Sequence, residues 1–155
     1  MARIISKLFL TGGWAPCLVF TAHVIATRVF GVYRIWPPAD IPMHFAGGLA
    51  IAFFMSQAFR ALPREIVRSS RLVVLEAILV LSLTTSAAVV WEFAEFSLDT
   101  LVGSNVQVSL PNTMQDLAMG MLGALVLVAI RARQTRTHHM DVRHVAQEWL
   151  TGQAA

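Results

Sequence analysis

The sequence predicts an all-α fold, an integral membrane four-helix bundle with antiparallel spans. The first observation is composition: 56% of the 155 residues are hydrophobic and 14% are charged, whereas about a quarter of the residues of a soluble domain are charged. The second is that four apolar stretches approach or exceed the roughly 20 residues that a helix needs to cross the hydrocarbon core. The chain is therefore expected to have membrane lipid as its main partner.

The four predicted spans are separated by residues that interrupt helices. They cover about residues 8–32, 41–62, 72–96 and 113–130. Trp36-Pro37-Pro38 follows the first span and Leu62-Pro63 ends the second, because proline disfavours helix at the preceding residue. The longest loop runs from Gly103 to Pro111. Short connections favour antiparallel neighbours, so residues 1–136 are predicted to form one four-span domain and residues 137–155 a short tail.

The basic residues predict the orientation of the spans. Lys and Arg are enriched in cytoplasmic loops, and one side of the predicted bundle carries Arg3, Lys7, Arg60, Arg64, Arg68, Arg71, Arg131, Arg133, Arg136 and Arg143. Only Arg28 and Arg34 fall on the other side. Both termini and the tail are therefore predicted to be cytoplasmic, with the loops near Asp40 and after Asp99 facing outward.

Charge and cysteine content exclude several function classes. The formal net charge is +3, but the arginines punctuate apolar runs and form no basic patch interleaved with aromatic residues, so no nucleic-acid partner is expected. The single cysteine, Cys17, excludes an intramolecular disulfide and a thiolate metal cluster.

Acidic residues gather at the outward ends of the spans, together with one histidine. These residues are Asp40, Glu92, Glu95, Asp99, Asp116 and His44. Ionisable groups inside a span are costly unless they are paired, hydrated or coordinated, which makes them functional candidates. The glutamates and Asp99 follow i, i+3, i+7 spacing and share one helix face. His44 lies four residues before Gly48, and Asp116 four before Gly120, so small residues are expected to bring these helices close together.

The cluster predicts a ligand site with named roles. Glu92 and Glu95 are the candidate catalytic residues and principal ligands, His44 is the nitrogen ligand, and Asp116 is a ligand or an orienting group; Asp40 and Asp99 are further candidate ligands. Carboxylates and an imidazole suit a divalent metal ion. Crowded carboxylates could instead hold a proton for acid–base work or proton transfer.

Structural interpretations of the same residues stay open. Asp40 could cap the second span, and Asp116 could complete a capping box with Thr113. Asp99 could be solvated, and His44 could be an interhelical hydrogen-bonding residue. A bis-histidine haem between His23 and His44 is a further alternative.

Three short motifs resemble the VanZ-like and YjdF-like (DUF2238-type) bacterial inner-membrane proteins. They are Asp40-Ile-Pro-Met-His44-Phe-Ala-Gly47-Gly48, Trp91-Glu92-Phe-Ala-Glu95, and the run from Asn112 through Asp116 and Gly120 to Gly123-Ala124. The resemblance covers about residues 40–130 and implies a multi-pass protein of the bacterial inner membrane. VanZ-like proteins are associated with glycopeptide resistance and the cell envelope, without a settled reaction. The basic residues common in the VanZ outer loop have no counterpart here between Asp99 and Asn112.

The sequence thus predicts an outward-facing acidic and histidine pocket that binds a divalent cation or a polar lipid-like ligand. It leaves open whether the protein is an enzyme acting on an envelope lipid or a structural or accessory subunit of a membrane complex, with another membrane protein as partner. The identity of the ligand, the metal and the oligomeric state are not encoded in these motifs.

Overall fold

The computed structural model describes the backbone of residues 6–61, 70–104 and 106–152, and the side chains of residues 6–61, 74–104 and 106–134. Within these ranges the regular structure is helical, without a strand. The α-helices are α1 (Trp14–Arg28), α2 (Val32–Ile35), α3 (Asp40–Arg60), α4 (Ser70–Val102) and α5 (Leu110–Gly152). Four stretches are long and apolar enough to cross a membrane: Ser6–Arg28, Pro37–Arg60, Val74–Val102 and Leu110–Gln134. The all-α class and the four candidate spans are confirmed.

Large apolar side chains cover the outer surface of these helices. Leu10 is 76% exposed, Leu101 82%, and Val90 and Phe93 both 64%. A soluble monomer rarely exposes a large contiguous apolar surface, whereas lipid contact makes such a surface favourable. Among the described residues, the buried apolar ones are mostly small; they are Ala15, Ala50, Ala52, Val80, Ala124 and Leu127.

The first span is kinked near its start and ends earlier than the sequence pattern suggested. A π-helical turn, Phe9–Gly13, contains Gly12 with a φ of 152°, a backbone conformation that favours glycine. A Cβ on Gly12 would lie 3.2 Å from the Phe53 ring on α3. The span ends at Arg28, and Gly31, with a φ of 58°, provides the turn into α2.

Helices α3 and α5 approach each other most closely, at glycines. A Cβ built on Gly48 would lie 2.0 Å from the carbonyl oxygen of Gly120, and one on Gly123 would lie 2.3 Å from that of Phe45. No side chain fits at these distances, so the glycines allow the two backbones to touch. The expected close packing of small residues is confirmed here.

A polar cluster ties the helices together where α3 ends. Glu76 Oε1 on α4 accepts hydrogen bonds from Ser56 Oγ at 2.7 Å and from Arg60 Nε at 3.2 Å. Arg131 on α5 donates to Gln57 Oε1 at 3.3 Å. The end of α3, the early part of α4 and the later part of α5 therefore meet at this level.

Helix α5 begins at Leu110, three residues before the predicted start of the fourth span, with Pro111 in its first turn, where proline is tolerated. Its helical backbone continues to Gly152 through most of the predicted tail. The predicted end of the second span at Leu62-Pro63 lies outside the described residues, and so do six side chains of the orientation prediction: Arg3, Arg64, Arg68, Arg71, Arg136 and Arg143.

Candidate metal centre

His44 is the centre of the polar cluster, and it faces carboxylates from three helices. On α3, one turn before it, Asp40 Oδ1 lies 3.4 Å from His44 Nε2. Asp116 Oδ1 on α5 lies 4.0 Å from the same nitrogen. Glu92 Oε1 on α4 lies 3.8 Å from the other ring nitrogen, Nδ1. The start of α3, the later part of α4 and the start of α5 therefore converge on one imidazole.

These contacts are longer than ordinary hydrogen bonds, which span about 2.7–3.2 Å. Each of Asp40, His44 and Asp116 offers one ligand atom, and the three atoms lie within 4.8 Å of one another. Two ligands that are each about 2.0–2.6 Å from one ion can be at most about 4–5 Å apart. The spacing of the three side chains fits a shared cation.

Two buried carboxylate oxygens lack a hydrogen-bond partner among the described residues. They are Asp116 Oδ1 and Glu92 Oε2. Asp116 is 2% exposed and Glu92 is 5% exposed, and leaving a buried polar atom unsatisfied costs about 1–3 kcal/mol, more when it is charged. The other oxygen of Asp116 accepts a hydrogen bond from Asn112 Nδ2 at 2.8 Å. The unpaired Asp116 oxygen is the one that faces His44.

The capping interpretations of the two aspartates do not fit their positions. Helix α3 begins at Asp40, and its N-cap position is Ala39 without a side-chain cap hydrogen bond. Helix α5 begins at Leu110, so Asp116 lies in its second turn and cannot cap it. Both carboxylates instead point toward His44.

The remaining predicted site residues have other partners. Glu95 is 8% exposed, and its Oε1 accepts a hydrogen bond from Trp91 Nε1 at 2.8 Å. Asp99 lies away from the cluster: its carboxylate accepts hydrogen bonds from Ser104 Oγ and from the backbone N–H groups of Val106 and Gln107. Asp99 therefore organises the loop before α5.

Asn112 and Tyr33 are site residues that the sequence interpretation missed. Asn112 lies four residues before Asp116, a spacing that places both on one helix face and could have indicated their hydrogen bond. Tyr33 OH lies 3.0 Å from His23 Nδ1. Burial, reinforced by the Asp40 carboxylate, raises the pKa of Tyr33 to about 12, so the neutral phenol can donate to this nitrogen. No local pattern links Tyr33 to His23, since they lie on different helices.

A cavity of about 210 Å³ adjoins the cluster. His44 forms part of its wall, together with His23, Trp91 and Thr84, and most of the other lining side chains are apolar. The His23 and Trp91 rings pack edge to face with their centroids 5.4 Å apart. The polar cluster therefore opens onto an apolar space inside the bundle.

A comparison with known protein families identifies the family of this chain. The model of the DUF2238 family, described as predicted membrane proteins, matches residues 10–137. The chain belongs to the DUF2238 family. The matched residues include His44 and all five acidic candidates, because each of them lies between residues 40 and 116.

This DUF2238 protein is therefore a predicted membrane protein by family as well as by its four apolar helices. The expected DUF2238-type membership is confirmed, and the VanZ-like resemblance stays a prediction. No curated protein and no solved structure matches the chain.

Proposed function

We propose that this DUF2238 protein binds a divalent cation through Asp40, His44 and Asp116, at the outward-facing end of an antiparallel four-span bundle in the bacterial inner membrane. The observation that carries the proposal is the unpaired Asp116 Oδ1, buried and directed at His44 Nε2. A buried anion without a partner is costly in an apolar environment. A cation between these side chains would satisfy it.

The balance of charge supports a cation. Asp40, Glu92 and Asp116 all face one imidazole, which neutralises at most one of three carboxylates. Among the described side chains, only His44 forms ion pairs with these carboxylates. One nitrogen and two oxygen ligands suit ions such as Zn²⁺ or Mn²⁺. A divalent ion would neutralise Asp40 and Asp116 together.

Glu92 has a supporting role in this proposal. Its carboxylate faces His44 Nδ1, while the proposed ligands face Nε2. Metal-binding histidines usually donate their second ring N–H to a carboxylate or carbonyl, which sets the tautomer and the ring orientation. Glu92 is therefore assigned as the orienting group, and Glu95, bound to Trp91, as part of the surrounding wall.

Three protein ligands leave a position for water or substrate, as catalytic metal sites do. A bound cation would supply Lewis acidity and an activated water, and hydrolysis of an envelope lipid head group is the reaction class that fits a site beside an apolar cavity. The alternative is that the cluster only fixes helix packing and the protein is an accessory subunit of a membrane complex. Cation binding distinguishes these functions.

The test is elemental analysis of the full chain purified in detergent, followed by titration with Zn²⁺ and with Mn²⁺. Wild-type protein is expected to bind stoichiometric cation. Asp116→Asn and His44→Ala remove ligands and should weaken binding by more than about a hundredfold, while Glu92→Gln should weaken it by about 10–100-fold, the effect of losing an orienting group. Asp99→Asn is the matched control because its carboxylate serves the loop, and it should bind like wild type.

Each outcome has a distinct meaning when circular dichroism shows that the variants are folded. Absence of cation binding by folded wild type contradicts the proposal and favours protonated carboxylates or a packing role. Equal binding by wild type and Asp116→Asn places any cation elsewhere. A loss of binding in Asp99→Asn equal to that in Asp116→Asn would show that the binding is not specific to the His44 cluster.

A further inference from the structure

The cavity beside His44 extends from the polar cluster toward the middle of the bundle. Its lining includes Phe20 of the first span, His44 and Ile51 of α3, and Thr84 and Trp91 of α4. Thr84 lies eight residues before Glu92, which corresponds to about 12 Å along a helix. The cavity therefore reaches from a polar end at His44 into an apolar interior. A phospholipid changes in the same way, from a polar head group to an apolar acyl chain.

Aromatic side chains form the wall between the first span and α4. The Phe20 and Trp91 rings pack edge to face with centroids 5.8 Å apart, and His23 contacts the same tryptophan. Phe20 is 53% exposed, and nearby Val90 of α4 is 64% exposed, so lipid surrounds this seam. Side-chain rotations can open such a contact without moving a helix. Rotation of Phe20 or Trp91 would open a lateral route from the bilayer into the cavity.

Gly47 keeps the cavity open. A Cβ at this position would meet no atom within 4 Å, and Gly47 lines the cavity. The adjacent Gly48 is different, since its Cβ would collide with Gly120. Glycine inside a helix is less stable than alanine, so close packing explains Gly48 but leaves Gly47 without a packing role. The missing side chain at Gly47 enlarges the apolar space.

We propose that this cavity holds one acyl chain of a membrane phospholipid, which enters between the first span and α4. The chain lies along Gly47, Ile51 and Ala87, and the ester end lies beside His44. A cavity of 150 Å³ already accommodates benzene, so 210 Å³ accepts a segment of hydrocarbon chain. Occupancy of the cavity does not require the cation; the position of the head group beside the cation rests on the proposed function.

Thr84 distinguishes a hydrocarbon occupant from a polar one. It is fully buried, lines the cavity, and its hydroxyl has no hydrogen-bond partner in the described part of the chain. A polar ligand or a fixed water would use this hydroxyl, and Thr84→Val would weaken its binding. An acyl chain makes only apolar contacts, and the same variant should bind it equally well or better.

The probe is a phosphatidylcholine with a diazirine at the middle of one acyl chain, added to vesicles of phosphatidylethanolamine and phosphatidylglycerol that contain the full chain. After photolysis, mass spectrometry compares labelling of the cavity residues Ile51 and Ala87 with labelling of lipid-facing Val90 and Phe93. Wild type is expected to be labelled at both sets. Gly47→Leu places a side chain in the space that the acyl chain would occupy and should reduce cavity labelling about tenfold, equivalent to about 1.4 kcal/mol of lost affinity, with outer labelling unchanged.

Matched variants make the result specific. Ala94→Leu adds a similar volume at an exposed position of α4 and should label like wild type. Ala87→Leu fills the cavity from α4, so it tests the proposal if Gly47→Leu fails to fold. Thr84→Val should keep cavity labelling. Wild-type labelling restricted to Val90 and Phe93, full cavity labelling in both filling variants, or loss of labelling in Thr84→Val would each overturn the proposal.

The cation is measured on the same samples. Gly47→Leu should retain the cation while losing the chain, and Asp116→Asn should lose the cation while retaining cavity labelling. A wild type without cation but with labelled cavity residues contradicts only the proposed function. A wild type with cation but without cavity labelling contradicts only the acyl-chain site.

Discussion

Asp116 has one satisfied oxygen and one unsatisfied oxygen in a buried position. Asn112 donates to Oδ2, and Oδ1 faces His44 beyond hydrogen-bond distance. A residue chosen only for stability would not leave this oxygen unpaired, because the desolvated charge lowers the free energy of unfolding. We therefore expect cation binding to offset the loss in free energy of unfolding that the unpaired oxygen causes.

We predict that Asp116→Asn reverses its effect on stability with the cation. In EDTA the neutral asparagine removes an unpaired buried charge, so the variant should be as stable as wild type or more stable, by about 1–3 kcal/mol. With Zn²⁺ or Mn²⁺ at about 100 times Kd, wild type should gain about 2.7 kcal/mol and the variant none. Thermal unfolding in detergent measures both conditions, with Asp99→Asn as control. Equal stabilisation of wild type and Asp116→Asn by the cation would contradict this prediction.

The cluster was predictable at this scale, but the roles within it were not. Acidic residues near His44 in apolar stretches mark the site, and the helical periodicity places Glu92 and Glu95 on one face. The orientation of the His44 ring depends on how three helices are rotated against one another, which no local spacing encodes. The sequence therefore predicts Glu92 as a principal ligand, whereas in the structure Glu92 faces Nδ1 and both Asp40 and Asp116 face Nε2.

The contact between α3 and α5 sets the geometry of the site. Gly48 lies one turn after His44, and Gly120 lies one turn after Asp116. The two glycines in contact are therefore one helical turn away from the two proposed ligands. A change in the separation of the backbones at this point would change the distance between His44 and Asp116. The four-residue spacing on both helices allowed this contact to be expected from the sequence.

We predict opposite effects of alanine at two adjacent glycines. Gly48→Ala places a methyl group 2.0 Å from a carbonyl oxygen and should lower the free energy of unfolding by about 1–3 kcal/mol. Gly47→Ala enters open space and should raise it by about 0.5–1 kcal/mol, the usual gain of alanine over glycine in a helix. Thermal unfolding in detergent compares both with wild type. A similar gain in both variants would show that helix propensity and not the α3–α5 contact determines the response.

The ends of the helices were less predictable than their existence. Hydropathy marks the part of a helix that lies in hydrocarbon, but a helix can continue into the polar region. Helix α4 reaches Val102, six residues beyond the predicted end of the third span at residue 96. The loop that follows depends on Asp99 binding the N–H groups of Val106 and Gln107, contacts that only the folded chain brings together.

At the scale of the whole molecule, the two ends of the bundle carry different charges. One end holds the carboxylates around His44, and the other holds the Arg60–Glu76 ion pair and Arg131. Basic residues favour the cytoplasmic side, so the acidic end is expected to face outward. The proposed cation site would then draw its ion from outside the cytoplasm, and the orientation becomes part of the functional proposal.

We predict that Val108 is accessible from outside the cell and that Ala61 is not. Val108 is 78% exposed in the loop before α5, near the acidic end, and Ala61 is exposed immediately after α3, near the basic end. With Cys17 replaced by serine, a membrane-impermeant maleimide applied to intact cells should label Val108→Cys and leave Ala61→Cys unlabelled. Permeabilised cells should label both, which controls for the reactivity of the thiols.

The alternative labelling patterns each contradict a different part of this arrangement. Labelling of Ala61→Cys alone would mean that the bundle has the inverted orientation. The basic end would then lie outside the cell, and the His44 cluster would lie at the cytoplasmic side. Equal labelling of both positions in intact cells would mean that they share one side of the membrane, which is incompatible with a single crossing by α4, the helix that lies between them. Labelling of Val108→Cys alone connects the charge asymmetry, the four spans and an outward-facing cation site in one orientation.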